Sequence, residues 1–297
     1  MEFGRTKKVI LQNLGAAEEH RRRARIVEAY CYRELAHASL AAVSEPSHIF
    51  LCSTERDEKS VRELLDATSG ICRAGAAGAI FAKYCAELCA ARGIEPTLRD
   101  MFPHPSEIEP TTVAYVTGGF TDPAFESFRD ELSHILHISL RPHHAERVSN
   151  ACDCVLDGDA DFAIIPVWNS RDGHLRSFYR MIDGYDLKIL SVTTVPTEEG
   201  RTRFALCGAD VSPLFPMPAF MEFSIAGDGE IFGSVSDAVA VHGHTVSEVI
   251  SYPTGQGRTL YHFSVNAGGD LRPTLLYLNL FHPTHTVLGL YGNINEQ

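Results

Sequence analysis

Asn169 and Ser170 follow an apolar run, Phe162 to Val167 (FAIIPV), and lead into a loop with Gly173. The run reads as a buried strand, and an amide and a hydroxyl at the C-terminal end of a parallel strand lie where open α/β sheets place ligands. A second set of polar groups is Thr117-Gly118-Gly119-Phe120-Thr121-Asp122, a small-residue turn between the short apolar run Val113 to Val116 and an amphipathic helix. Asp122 is the expected N-cap, Pro123 opens the helix, and Phe125, Phe128, Leu132, Ile135 and Leu136 form its inward stripe. Free N–H groups at such a helix start suit a carboxylate. A third set, Thr202-Arg203-Phe204, opens the strand FALCG. The eight cysteines are scattered; Cys85 and Cys89, and Cys152 and Cys154, are near pairs, but no further pair stands with histidines at zinc-finger distance. Reduced structural thiols and no metal site are expected.

The elements that position these groups divide the chain into three parts. Residues 111–212 alternate strands and helices: Val148, Ala151, Cys152 and Val155 give one helix face, Leu175, Phe178, Tyr179 and Ile182 another, and Leu187 to Val192 a further strand. Residues 217–297 show strand, helix, strand, strand, helix and strand signals in turn: Phe220 to Ile225, Ile231 to Val241, Thr245 to Tyr252, Thr259 to Val265, Leu271 to Phe281 and His285 to Tyr291. That order is the ferredoxin-like βαββαβ unit. Residues 1–110 admit two readings. In one they form an α/β lobe, with strands at His48 to Cys52 and Ala77 to Ala82, a turn at Ser53-Thr54, and a helix turning Val61, Leu64 and Leu65 inward. In the other they are helical, since Glu18 to Ala42 and residues 70–92 are rich in helix formers. Pro213 to Pro218 is the clearest linker.

With 297 residues and 44% hydrophobic content the chain can bury a sizeable core. Its formal charge of −12 argues against nonspecific nucleic-acid binding. An anionic substrate would therefore be held by local arginines and backbone amides, against the overall field. Apolar runs are too short for a membrane span and the N-terminus lacks a signal-peptide core, so a soluble cytoplasmic protein is expected.

Several of these motifs together resemble the prephenate dehydratase family. Pro166, Val167, Asn169, Ser170 and Gly173 match its Pro-Ile-Glu-Asn-Ser pattern with a following glycine, Trp168 standing for the glutamate, and Thr202-Arg203-Phe204 is its signature tripeptide. The C-terminal part resembles the family's ACT domain, an amino-acid-sensing module: Gly229-Glu230-Ile231-Phe232 stands where the family has Gly-Ala-Leu, and Ile250-Ser251-Tyr252-Pro253 where it has Glu-Ser-Arg-Pro. The resemblance implies a two-lobed, periplasmic-binding-protein-like α/β catalytic region followed by a ferredoxin-like ACT domain. Only about ten residues separate Val192 from Thr202, where the family carries a second lobe, so residues 1–110 are read as that lobe in permuted order or as an unrelated helical domain.

The implied activity is loss of water and carbon dioxide from prephenate to give phenylpyruvate, with neither metal nor organic cofactor. The resemblance casts Thr202, Arg203 and Phe204 as catalytic, with Thr202 serving the leaving hydroxyl, Arg203 a carboxylate and Phe204 the ring. Asn169, Ser170, Thr121, Ser53 and Thr54 are expected to bind substrate, and Gly229, Ile231, Phe232, Ser251 and Pro253 an amino-acid effector. A homodimer is expected, because a lone ferredoxin-like sheet leaves an edge strand open. Two other outcomes are weighed: an enzyme that decarboxylates prephenate, or a modified prephenate, without losing the hydroxyl, and a noncatalytic amino-acid-sensing regulator.

Overall fold

The computed structural model describes residues 2–51, 58–102, 112–136, 139–197, 200–211, 217–254 and 258–292. Its N-terminal part is helical: α1 (Glu2–Leu40), a 3₁₀ turn (Pro46–Phe50), α2 (Glu58–Ala67), α3 (Ala76–Ala91) and a second 3₁₀ turn (Arg99–Met101). The strand expected at His48 to Cys52 is thus a 3₁₀ turn through Phe50. Pro46 starts it, and Ile49 and Phe50 are fully buried. The strand expected at Ala77 to Ala82 lies inside α3. An apolar run of that length fits a buried strand or a buried helix equally well, and here alanine-rich helix formers continue to Ala91, with Ala79, Phe81, Ala82, Cys85, Ala86 and Cys89 all buried. Residues 2–51 and 58–102 contain no strand, which removes the α/β lobe expected there. Ser53 and Thr54 lie outside the described residues.

The α/β part that follows comprises β1 (Thr112–Val116), α4 (Thr121–Leu136), β2 (Arg141–Ala145), α5 (Val148–Asp157), β3 (Phe162–Asn169), β4 (Gly173–His174), α6 (Arg176–Tyr185), β5 (Lys188–Thr197) and β6 (Gly200–Gly208). Then come β7 (Phe220–Gly227), α7 (Glu230–Val241), β8 (Thr245–Pro253), β9 (Thr259–Asn266), α8 (Arg272–Phe281) and β10 (Thr286–Tyr291). The sheet order β10-β7-β9-β8, antiparallel throughout, is that of the ferredoxin-like unit, and its element bounds lie close to the sequence expectation. β2 was not foreseen. Its sequence, RPHHA, has no apolar alternation because it is a mostly exposed edge strand pairing only with β1.

All of these strands belong to one mixed sheet, ordered β2-β1-β3-β6-β5-β10-β7-β9-β8 with β4 beside β3. The junction between the α/β strands and the ferredoxin-like strands is the parallel pair β5 and β10, with Ile189 opposite Gly289. A Cβ at Gly289 would lie 2.5 Å from the Ile189 carbonyl oxygen, so only glycine lets the two backbones come this close.

One face of the ferredoxin-like sheet is covered by α7 and α8, and these in turn by the N-terminal helices. The core there runs from Leu40, Phe50 and Phe81 through Leu275 and Tyr277 to Phe223 and Phe263. Polar groups lock the layers together. Asn279 donates to the carbonyls of Ile49 and Leu51 at 3.0 and 3.2 Å, and the Gly75 N–H donates to the Tyr277 hydroxyl at 2.8 Å. His242, at the end of α7, sits 2.9 Å by its Nε2 from the Ala79 carbonyl oxygen and 2.8 Å by its Nδ1 from the Thr274 hydroxyl. A carbonyl only accepts, so Nε2 carries the proton and Nδ1 accepts from Thr274. Burial pushes the His242 pKa down to about 4, which keeps this neutral arrangement.

Candidate functional site

β3 and β6 run antiparallel, with Asn169 opposite Thr202 and Pro166 opposite Phe204. The C-terminal ends of β1 and β3, which are parallel neighbours, open on the same edge of the sheet, the edge where α/β sheets bind ligands. There a cleft of about 300 Å³ is walled by Thr202 and Phe204 of β6, Pro166 and Asn169 of β3, and Ser170 just beyond β3. Phe120 and Thr121 close it from the start of α4, Leu175 from the start of α6, Arg171 from the loop after β3 and Arg201 from the start of β6. Five residues singled out in the sequence, Thr121, Asn169, Ser170, Thr202 and Phe204, therefore share one cavity of small-molecule size.

The local structure explains how they are held. Asn169 Oδ1 accepts the N–H groups of Arg171 and Asp172 at 2.9 and 2.6 Å, and its Nδ2 donates to the Asp172 carboxylate at 3.0 Å. Its side chain thus shapes the loop after β3, and one amide hydrogen at most is left for a ligand. Ser170 ties that loop to β6 at two points. Its N–H donates to the Arg201 carbonyl at 2.9 Å, and its hydroxyl oxygen accepts the Arg201 N–H at 3.0 Å, leaving its own proton to donate. The tie needs a glycine at 200: its φ is +131°, and a Cβ there would overlap Ser170 Oγ. At the other wall α4 begins at Thr121, so Asp122 is not its N-cap. Asp122 lies in the first turn, and its Oδ1 accepts the Gly118 N–H at 3.3 Å.

Thr202 is partly buried, and among the described residues its hydroxyl and that of Thr121 have no hydrogen-bond partner. Phe204 is buried in the cluster that holds Phe125 and Phe128, and it also lines the cleft. Arg203 does not reach it. Strand alternation turns Arg203 to the opposite face with Ala205 and Cys207, where it faces Trp168 across the strands and lies near Tyr291. Its Nε is buried there with no hydrogen-bond partner among the described residues. The carboxylate-holding part given to Arg203 is therefore corrected. Period-two alternation within Thr202-Arg203-Phe204 was the signal that separates the middle residue from its neighbours. The cations that do line the cleft, Arg171 and Arg201, were missed, and the only hint of them was adjacency to Ser170 and Thr202.

On that far face a polar network joins α6 to the ferredoxin-like sheet. The Glu222 carboxylate, fully enclosed, accepts the Tyr179 hydroxyl at 3.0 Å and the Tyr291 hydroxyl. Burial raises the Glu222 pKa, and the two tyrosine donors oppose the rise. Four residues further along α6, Asp183 accepts the Tyr252 hydroxyl and lies 3.1 Å from His262 Nε2.

The expected effector residues lie at one end of the ferredoxin-like sheet. Gly229 precedes α7, Ile231 packs on Gly227 in its first turn, and Phe232 is exposed. Ser251 and Pro253 end β8, and Pro253, Thr259 and Gly227 are in register across β8, β9 and β7. Among the described residues no group of acidic, histidine and cysteine side chains has the geometry of a metal site, and no helix is long and apolar enough to cross a membrane.

No family model and no curated protein matches the chain. Similar solved structures include a prephenate dehydratase from Streptococcus mutans, 17% identical over 62% of this chain and 98% of that one, with a TM-score of 0.49. Another is a prephenate dehydratase from Arthrobacter aurescens in complex with L-Phe, 16% identical over 63% of this chain and 92% of that one, with a TM-score of 0.48. A third is described as a novel type of quorum-quenching acylase, 17% identical over 61% of this chain and 94% of that one, with a TM-score of 0.45. All three are distant, and the function of this chain is argued from its own residues.

Proposed function

We propose that the chain is a prephenate dehydratase-like lyase whose cleft between β3, β6 and the start of α4 binds prephenate. The observation that carries the reading is the meeting of two motifs far apart in sequence. The Asn169-Ser170 loop and Thr202 stand on facing strands around one cavity, and the Thr202 hydroxyl has no partner among the described residues. Thr121, at the N-terminus of a 16-residue helix, adds its hydroxyl and the positive end of the helix dipole, while the N–H groups of Thr121 and Asp122 are taken by the Gly118 carbonyl.

The reaction asks little of the protein beyond placement and charge stabilisation. The bond from the ring carbon to its carboxylate breaks and carbon dioxide leaves. That electron pair enters the ring, and the ring hydroxyl departs with a proton as water. Thr202 donates a hydrogen bond to the departing oxygen. A hydroxyl is a weak acid, so preorganised donors aimed at the developing negative charge carry most of the acceleration. Phe204 and Phe120 flank the ring. No cofactor takes part in this scheme.

The end of the sheet at Gly229, Ile231, Phe232, Ser251 and Pro253 is proposed as an ACT-type amino-acid site, and the open edge of β8 as the seam of a homodimer. The test is incubation of the protein with prephenate at neutral pH, with ultraviolet and mass detection of products. Phenylpyruvate from the wild type, with kcat lowered about 10²- to 10³-fold in Thr202→Val, supports the reading. A hydroxyl-retaining decarboxylated product sinks dehydration, and untouched prephenate sinks prephenate turnover altogether.

A further inference from the structure

The cleft binds an anion on the dehydratase reading, yet Arg203 turns its guanidinium to the other face of the sheet. We propose that Arg201 is the residue that selects substrate there, holding a carboxylate of a small organic anion beside Thr202. The assignment rests on the reading of this cleft as the active site.

Four observations bear on it. Arg201 lines the cavity, directly before Thr202 and beside the end of β3. Its backbone is fixed at both its N–H and its C=O by Ser170, at 3.0 and 2.9 Å, so the start of its side chain is held in place even though the residue is exposed. None of the described carboxylates forms an ion pair with it, and Glu198 and Glu199 lie outside the described residues. The described lining of the cavity contains two arginines and no acidic residue, in a chain of net charge −12. A local concentration of positive charge against that background is what an anionic ligand requires.

A planar guanidinium meets a carboxylate with two parallel N–H donors, which an ammonium does not reproduce. The start of α4 lines the same cavity with the Thr121 hydroxyl and the positive end of the helix dipole, which suits the second carboxylate of a dicarboxylate.

The test compares wild type, Arg201→Gln and Arg201→Lys by calorimetric binding of phenylpyruvate and of prephenate, and by prephenate kinetics. Arg201 is exposed, so both variants should melt as the wild type does. The expectation is a rise of about 10- to 100-fold in Kd and KM for Arg201→Gln with kcat within a few-fold, since uniform binding is removed, and partial recovery in Arg201→Lys. Unchanged Kd in Arg201→Gln overturns the assignment, even where prephenate is turned over and the dehydratase reading stands. A wild type that binds both anions in an Arg201-dependent way without consuming prephenate upholds Arg201 and overturns the dehydratase. A wild type that binds neither anion overturns the assignment.

Discussion

The tie between Ser170 and the start of β6 sets the cleft, and Gly200→Ala is the change that tests it. Alanine at a φ of +131° is held in a conformation that L residues rarely adopt, at a cost of about 1–3 kcal/mol. Its Cβ also displaces Ser170 Oγ and so breaks the 3.0 Å bond to the Arg201 N–H, at about 1 kcal/mol more. The expected loss is about 2–4 kcal/mol, a large share of the stability of an ordinary domain. Ser170→Ala alone removes the same hydrogen bond and costs about 1 kcal/mol. In the double variant the new methyl faces only the residue 170 Cβ, 3.4 Å away and in ordinary contact, and the hydrogen bond is lost once rather than twice. The double variant should therefore fall short of the sum of the singles by about 1 kcal/mol, a coupling readable in urea denaturation at constant m-value. Additive losses, or a Gly200→Ala variant as stable as wild type, would refute the argument that this glycine exists to seat Ser170.

Two further predictions concern the joints between layers of the fold. His242 titrates near 4 in the folded chain against an ordinary 6.5, so the unfolded chain takes up the proton first. Its contribution is full above pH 6.5 and lost as pH falls through about 4. The shift corresponds to about 3 kcal/mol, discounted to about 2 because part of the ring reaches solvent. Urea denaturation from pH 7 to pH 4 should show a shallower acid loss in His242→Gln than in wild type, and equal slopes would count against it. Tyr179→Phe removes one of the donors to Glu222 and should cost about 1–3 kcal/mol. Because Glu222 already has a raised pKa, the folded chain holds its proton more tightly than the unfolded one. Stability from this group therefore falls as pH rises from about 4.5 to the raised value. The loss in Tyr179→Phe should be larger at pH 7 than at pH 4, and a pH-independent loss would mean that Glu222 does not depend on Tyr179.

The sequence was most legible where periodicity and turns agreed. Glycine, proline and asparagine punctuate residues 217–294, and the strands there alternate, so the order of the ferredoxin-like unit could be read directly. The first half was harder for a physical reason. Ala77 to Ala82 packs between α1, α7 and α8 with Gly78, Ala79, Phe81 and Ala82 buried and Ala77 and Ile80 half-buried, so no polar face marks a helical stripe there. β2 failed in the opposite sense, since an exposed edge strand has no apolar signal. In the cleft, residue types were legible and directions were not. Thr202 and Asn169 could be nominated, but the pairing of β3 with β6 was needed to place them opposite each other and to turn Arg203 away. Trp168 stands where the resembled motif has a glutamate. The strands put it opposite Arg203, on the far face, where it packs with the core and is not among the residues that line the cavity.

The ferredoxin-like unit is part of the scaffold of the cleft. Leu175 caps α6 and lines the cavity, while Tyr179 and Asp183, one and two turns further along the same helix face, hold Glu222, Tyr252 and the neighbourhood of His262 in the C-terminal sheet. The second link is the β5 to β10 pair at Gly289, which continues the sheet carrying Thr202 into the sheet carrying Glu222. A displacement of β7 and β9 relative to α6 must strain buried, hydrogen-bonded groups at one link or distort a close backbone contact at the other. Packed interiors yield to such strain by discrete rearrangement rather than smooth bending. An effector at the proposed amino-acid site would have two structural routes to the cleft: α6, whose start places Leu175 in the wall, and the β5–β6 pair, which carries Thr202.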